Sequence, residues 1–85
     1  MVQFCCMKVK VCFFAACREI AGKSQMELEL QEGEPISGLL KTLQSDFQDF
    51  LTMPIMLAVN AEYVQPDYTL QDGDVVALIP LVSGG

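Results

Sequence analysis

Lys8-Val9-Lys10-Val11-Cys12-Phe13 alternates with a period of two, so Val9, Val11 and Phe13 share one side of an extended chain while Lys8, Lys10 and Cys12 share the other. That is a strand with one buried and one solvated face, and Phe14 continues the solvated side. Ala15 to Ala21, followed by Gly22 as a stop, suits a short helical turn. Met26, Leu28 and Leu30 then alternate with Glu27, Glu29 and Gln31, predicting a second strand that faces the same core and pairs with the first in hairpin fashion. Glu32-Gly33-Glu34-Pro35 breaks the chain. Pro35 is well placed near a helix start, ahead of Ile36, Leu39, Leu40 and Leu43 at helical spacing, and the helix is expected from Ile36 to about Phe47. Phe47, Phe50 and Leu51 extend its apolar stripe or cap the end of the core, and Pro54 ends any helix. Ile55 to Val59 reads as a third strand, Asn60-Ala61-Glu62 as a turn, and Tyr63-Val64 as a short fourth strand. Pro66-Asp67 and Asp72-Gly73-Asp74 are further turns. Val75 to Ile79, nearly all apolar, is expected to be a last strand buried on one face and covered on the other.

The order β-β-α-β-β-β with a central helix predicts an α+β fold: one mixed sheet packed on the helix, its first and last strands parallel neighbours joined by a right-handed crossover. This is a roll of the ubiquitin-like, β-grasp kind. The chain has 85 residues, enough for one modest core. Residues 1–80 are expected to form the domain and residues 81–85 a flexible tail.

Composition narrows the function. Hydrophobic residues make up 52% against 19% charged, too apolar for a disordered segment. The formal charge of −6 gives no basic surface to release counterions from a phosphate backbone, so nucleic acid is not an expected partner. On charge alone, basic protein surfaces are. With no histidine in the sequence, Ser-His-Asp and Cys-His catalysis are excluded, and no metal site is expected. Cys5, Cys6, Cys12 and Cys17 all fall early in the chain with no second cluster and no C-x-x-C, which favours reduced thiols in the cytoplasm over a disulfide framework. Phe14-Ala15-Ala16-Cys17 after Lys8 and Lys10 looks loosely like a signal segment ending at a lipid-modified cysteine. The apolar stretch from Val11 to Ala16 is shorter than the roughly 7 to 15 residues such a segment needs. No run approaches the roughly 18 apolar residues that span a bilayer, so no membrane partner is expected.

The sequence finishes Pro80-Leu81-Val82-Ser83-Gly84-Gly85. Two readings stand for the glycines: an idle frayed end, or an end shaped for access. Lacking Cβ atoms, Gly84 and Gly85 fit a channel too narrow for other residues and carry the terminal carboxylate into a partner's active site. A carboxylate is unreactive towards nucleophiles until activated, most simply by ATP as an acyl-adenylate, so the tail would be a substrate.

At this point the sequence resembles the small, sulfur-carrying subunits of molybdopterin synthase, over essentially the whole chain from Lys8. The matching residues are Lys10-Val11-Cys12-Phe13-Phe14-Ala15, Arg18-Glu19 with Gly22, Val59-Asn60, Leu70 with Asp72-Gly73-Asp74, and Val82-Ser83-Gly84-Gly85. The resemblance implies a β-grasp fold and no cofactor bound by this chain, only a transient acyl-AMP and then a covalent thiocarboxylate at Gly85, with Gly84 beside it. An adenylyltransferase/sulfurtransferase similar to the ubiquitin-activating enzymes would load Gly85 from ATP and a persulfide donor. The loaded tail would insert into the large synthase subunit, which holds the acid-base groups, and give its sulfur to cyclic pyranopterin monophosphate in molybdenum cofactor biosynthesis. The complex would be a heterotetramer, a dimer of heterodimers.

Strand parity turns Val76 and Leu78 inward and Val75, Ala77 and Ile79 outward, with Phe14 on the same outward side. Phe14, Tyr63 and Ile79 match positions of the family's subunit contact, and Leu81, Val82 and Ser83 lead from it to the glycines. The alternative is that Phe14 and Ile79 merely pack on each other or under a loop. Arg18, Glu62, Asp72 and Asp74 could orient contacts or simply be solvated charge. The sequence departs from the family pattern at Leu81, where a second proline is common, and at Val75, where an acidic residue is frequent. Other functions share the fold and the Gly-Gly end: a sulfur carrier for thiazole or tRNA thiolation, or a ubiquitin-like protein modifier. A plain interaction module with an inert tail is the remaining possibility.

Overall fold

The alternation at the front of the chain becomes β1 (Cys6–Phe13) in a computed structural model, which describes residues 6–81. Its apolar half is the centre of the core: Met7, Val9, Val11 and Phe13 are all buried, while Lys8 and Lys10 are exposed. Helix α1 (Ala16–Ala21) turns Cys17 and Ala21 inward and stops at Gly22, whose φ of +74° is one that glycine adopts without steric cost. β2 (Gln25–Gln31) returns antiparallel to β1, from Cys12↔Gln25 to Cys6↔Gln31. Its alternation is real but shallower, with Met26, Leu28 and Leu30 half-buried against the core.

Pro35 occupies the N-cap of α2 (Ile36–Asp46), where a missing N–H leaves no bond unmade. The helix lays Ile36, Leu39 and Leu43 on the sheet and ends where the Phe47 N–H donates to the Leu43 carbonyl at 2.7 Å. A 3-10 turn over Gln48–Leu51 then brings in Phe50. Phe50 stacks on Phe13 with ring centroids 6.2 Å apart, and Phe47 meets both rings edge-on at 5.7 and 6.4 Å. These three aromatics cap the core end. Leu51 has no part in the cap, since it is exposed.

β3 (Ile55–Val59), β4 (Glu62–Tyr63) and β5 (Val75–Pro80) complete one sheet in the order β2-β1-β5-β3-β4. β1 and β5 run parallel at its centre, and the other pairs are antiparallel. The fold is thus the predicted mixed sheet on a helix. Two local expectations need correcting. The turn between β3 and β4 is Asn60-Ala61 alone, with Glu62 already in the strand, because both central residues take positive φ, 51° and 72°, as a tight two-residue hairpin requires. β5 is not covered on both faces: Val76 and Leu78 are buried, but Val75 is exposed and Ala77 and Ile79 are only half-buried. Both helices send their buried residues into the same core, so the opposite face of the sheet stays open among the described residues.

Cys6, Cys12 and Cys17 are free thiols, and Cys5 lies outside the described residues. Burial pushes the Cys17 thiol above its ordinary value of 9.0, so its neutral form belongs to the folded state. Any stability this provides is whole below pH 9.0 and is lost as pH rises through the folded value.

Ala61 holds a backbone conformation that an L side chain resists and glycine does not. Ala61→Gly is expected to stabilise the domain by about 0.5 to 1 kcal/mol, raising the thermal midpoint by a few degrees in a melt followed by circular dichroism.

Candidate functional site

The site is built where β5 leaves the sheet. The N–H of Leu81 donates to the Pro54 carbonyl at 3.1 Å, which ties the end of β5 to the residue before β3, and the Leu81 side chain is exposed. On the other side of β5 the Phe14 N–H donates to the Leu78 carbonyl at 3.2 Å, one step past the Phe13↔Leu78 pair, which sets Phe14 beside Ile79. Phe14 is 47% exposed, so it does not pack away under a loop.

Phe14 projects because the backbone turns sharply behind it. Ala15 sits at φ 49°, ψ −124°, a conformation that normally belongs to glycine. Such a residue costs about 1 to 3 kcal/mol and persists only when its surroundings hold it. Here the Cys17 N–H to the Phe14 carbonyl (2.9 Å) and the Arg18 N–H to the Ala15 carbonyl (3.0 Å) do so.

The register extends this spot across the sheet. Ile79 lies opposite Met56, Ala77 opposite Ala58, and Ala58 opposite Tyr63, so all five share the open face with Phe14 and Val75. Tyr63 is 66% exposed. A shallow groove of about 250 Å³ flanks the tyrosine, lined by Ile55, Met56, Val64 and Pro66. Phe14, Tyr63 and Val75 are exposed on this face, Met56, Ala77 and Ile79 half-buried and Ala58 buried, and large apolar side chains exposed on one face mark a contact site. The structure thus brings Phe14, Tyr63 and Ile79 onto one face, with Leu81 at its margin. Val82, Ser83, Gly84 and Gly85 lie outside the described residues.

The sequence reading missed Met56. In Ile-Met-Leu-Ala-Val every residue is apolar, so no alternation tells the two faces apart, and only pairing with Ile79 reveals its side.

Two of the acidic residues considered as contact groups have other work. Asp74 is buried, with Oδ2 accepting from the Gln71 N–H at 2.9 Å and Oδ1 from Asn60 Nδ2 at 3.1 Å. Asn60 Oδ1 in turn accepts from the Val75 N–H at 3.1 Å, so the pair clamps the β3–β4 turn to the start of β5. Asp72 Oδ1 accepts from the Lys8 N–H at 2.8 Å and ties its loop to β1. Glu62 and Arg18 are exposed on the surface. Among the described residues no three His, Cys, Asp or Glu side chains come together as a metal site, and no helix is long and apolar enough to cross a membrane.

A five-stranded mixed sheet with parallel outer strands of the sequence at its centre, wrapped on one main helix, defines a ubiquitin-like β-grasp protein. Within that class the chain belongs to the ThiS family, which matches residues 11–85. It is 39% identical to the molybdopterin synthase sulfur carrier subunit of Chlamydomonas reinhardtii, over 93% of this chain and 100% of that one. The protein of the same name from Mycobacterium tuberculosis is 36% identical over 93% of this chain and 99% of that one. Among solved structures, a putative molybdopterin converting factor subunit 1 from Pyrococcus furiosus superposes with a TM-score of 0.84 at 35% identity, covering 89% of this chain and 99% of that one. A complex of subunits 1 and 2 of molybdopterin-converting factor from Helicobacter pylori matches at TM-score 0.58 and 27% identity, over 93% of this chain and 100% of that one.

The Asn60–Asp74 clamp holds the strand that presents Val75, Ala77 and Ile79. Asp74→Ala would leave the Gln71 N–H and the Asn60 amide without their acceptor, and about 2 to 3 kcal/mol of stability is expected to be lost in urea unfolding.

Proposed function

We propose that this chain is the sulfur carrier of a molybdopterin synthase, with the carboxyl group of Gly85 as the group that is loaded. The observation carrying this is the family match over residues 11–85, through Gly84-Gly85, together with 39% identity to a sulfur carrier subunit that this chain covers end to end. In this reading the Gly85 carboxylate attacks the α-phosphate of ATP, releasing pyrophosphate and leaving an acyl-adenylate on an activating enzyme. The terminal sulfur of a persulfide displaces AMP to give an acyl disulfide, and a second thiol reduces that bond to free the thiocarboxylate. The thiocarboxylate sulfur is a softer nucleophile than oxygen and attacks a side-chain carbon of the pterin, here cyclic pyranopterin monophosphate, forming a C–S bond as the C–O bond at that carbon breaks and its oxygen departs. Hydrolysis of the resulting thioester returns the Gly85 carboxylate. The acid-base groups would belong to the large subunit, and the chain would hold no cofactor of its own. The cycle requires thiols that stay reduced, which fits a cytosolic site and the free Cys6, Cys12 and Cys17.

The large subunit is read as the partner of the open face, by analogy with the subunit 1 and 2 complex of Helicobacter pylori. Phe14, Tyr63, Ile79 and Met56 would supply the apolar centre of that contact, with Leu81, Val82 and Ser83 guiding Gly84-Gly85 inward. An exposed aromatic at the middle of an interface is the kind of residue that dominates affinity. The assembly would be a dimer of such heterodimers.

Three outcomes test the proposal. Intact mass after incubation with ATP, an activating enzyme of this type and a persulfide donor is expected to show one oxygen replaced by sulfur, whereas an unchanged mass would favour an inert interaction module. An alanine appended after Gly85 is expected to abolish both the mass change and molybdopterin formation. Phe14→Asp is expected to leave the circular dichroism spectrum unchanged and weaken large-subunit binding by about tenfold or more. Equal affinity would remove Phe14 from the contact.

A further inference from the structure

The open face of the sheet has two unlike halves. β5, β3 and β4 present the apolar surface described above, whereas β1 and β2 present charge, with Lys8 opposite Glu29 and Lys10 opposite Glu27. β2 is also the edge of the sheet on this side, bonded only to β1. It is long for an edge: the ladder runs over all of Gln25–Gln31. The Phe13 N–H donates to the Ser24 carbonyl at 2.9 Å, while the N–H groups of Lys10 and Phe14 bond towards β5. The odd residues of β1 therefore serve β2, and in β2 the even residues answer them. By the antiparallel alternation, the backbone N–H and C=O of Gln25, Glu27 and Glu29 and the N–H of Gln31 point away from the sheet, while the Gln31 carbonyl accepts from the Glu34 N–H at 3.1 Å. An exposed row of that length is a template for another strand.

We propose that this edge is a second docking site, which takes an extended segment of a partner protein whose residues alternate between Lys or Arg and branched apolar side chains, by strand addition to β2. The chain supplies the precedent, since Lys8-Val9-Lys10-Val11 of β1 is the sequence β2 pairs with on its other side. Basic residues of the incoming strand would stand beside Glu27 and Glu29 on the open face. Its apolar residues would cover Met26, Leu28 and Leu30, which remain half-buried against the core. A second copy of the chain is a poor occupant. Two β2 strands paired antiparallel about Leu28 would set Glu27 against Glu29 of the other copy twice, and like charges directly opposite are destabilising. The edge thus rejects itself and selects for opposite charge. β1 and β5 separate this edge from β3 and β4, so a partner here leaves the apolar half accessible. The proposal does not depend on the sulfur carrier reading.

The test titrates the full chain with a short capped peptide of alternating lysine and valine, followed by heteronuclear NMR. Saturable amide shifts are expected over Gln25–Gln31, with β3 and β4 silent. Glu27→Gln combined with Glu29→Gln should weaken binding several-fold, as should raising the salt concentration. N-methylating the peptide on alternate residues should abolish binding in the phase that faces β2 and spare it in the other, a comparison that leaves the protein's own folding untouched. The proposal is overturned by shifts centred on Tyr63 and Ile79, by equal binding of a glutamate-valine peptide, by indifference to N-methylation, by no saturable shift, or by sedimentation showing self-association through β2.

Discussion

Four residue pairs, Lys10↔Val75 to Phe13↔Leu78, join the first strand to the last in parallel, and the rest of the molecule depends on that seam. A parallel pair cannot be closed by a tight turn, so everything between β1 and β5 is crossover, and α2 must lie on the sheet to make it. The seam brings Val9, Val11, Phe13, Val76 and Leu78 into one buried row under Leu39 and Leu43. Because its partners come from opposite ends of the chain, its loop-closure entropy is recovered only when the long-range contacts form together. The same seam sets the candidate site: it aligns Phe14 beside Ile79, while across β5 Leu81, the last described residue, bonds to Pro54.

Much of this was legible in the sequence because a sheet with one buried face writes its period directly. The alternations in β1 and β2, the helical spacing of Ile36, Leu39 and Leu43, and the inward turn of Val76 and Leu78 all reappear in the burial pattern. The open face could be assembled in part from the same parity, which placed Phe14 and Ile79 outward. What parity could not give was β3, where five successive apolar residues carry no phase, and so Met56 stayed hidden. The assumption that β5 is covered on both sides failed for a related reason. An apolar run looks the same whether a helix or a partner protein covers its second face.

The polar residues were harder to read. Asp72 and Asp74 flank one glycine in a turn, and from the sequence both pass for solvated charge. Their difference comes from Asn60, at positive φ in another turn, whose side chain reaches Asp74 and the Val75 N–H together. Nothing local announces a contact made across turns. Ala15 and Ala61 are concealed in another way, because propensity would assign glycine, asparagine or aspartate to both positions. The hairpin strain at Ala61 is local to β3 and β4. The strain at Ala15 lies directly behind the most exposed residue of β1's end, where the surrounding hydrogen bonds hold a turn that the residue itself opposes.

The division of the open face follows from what each strand must avoid. β5 is an interior strand paired on both edges and β3 is paired along β5 and, at Ala58 and Val59, with β4, so apolar side chains on their outer surface carry less risk of strand addition and leave a surface that a partner can desolvate. β2 has an unpaired edge, and the same apolar side chains there would invite indiscriminate strand addition. Glutamates at Glu27 and Glu29 prevent it by repelling a second copy, and lysines on β1 balance them across the ladder. At the far edge the problem is met by brevity instead, since β4 spans only Glu62–Tyr63. The net charge of −6 is therefore unevenly deployed: carboxylates guard the long edge, while the face formed by β5, β3 and β4 is left apolar.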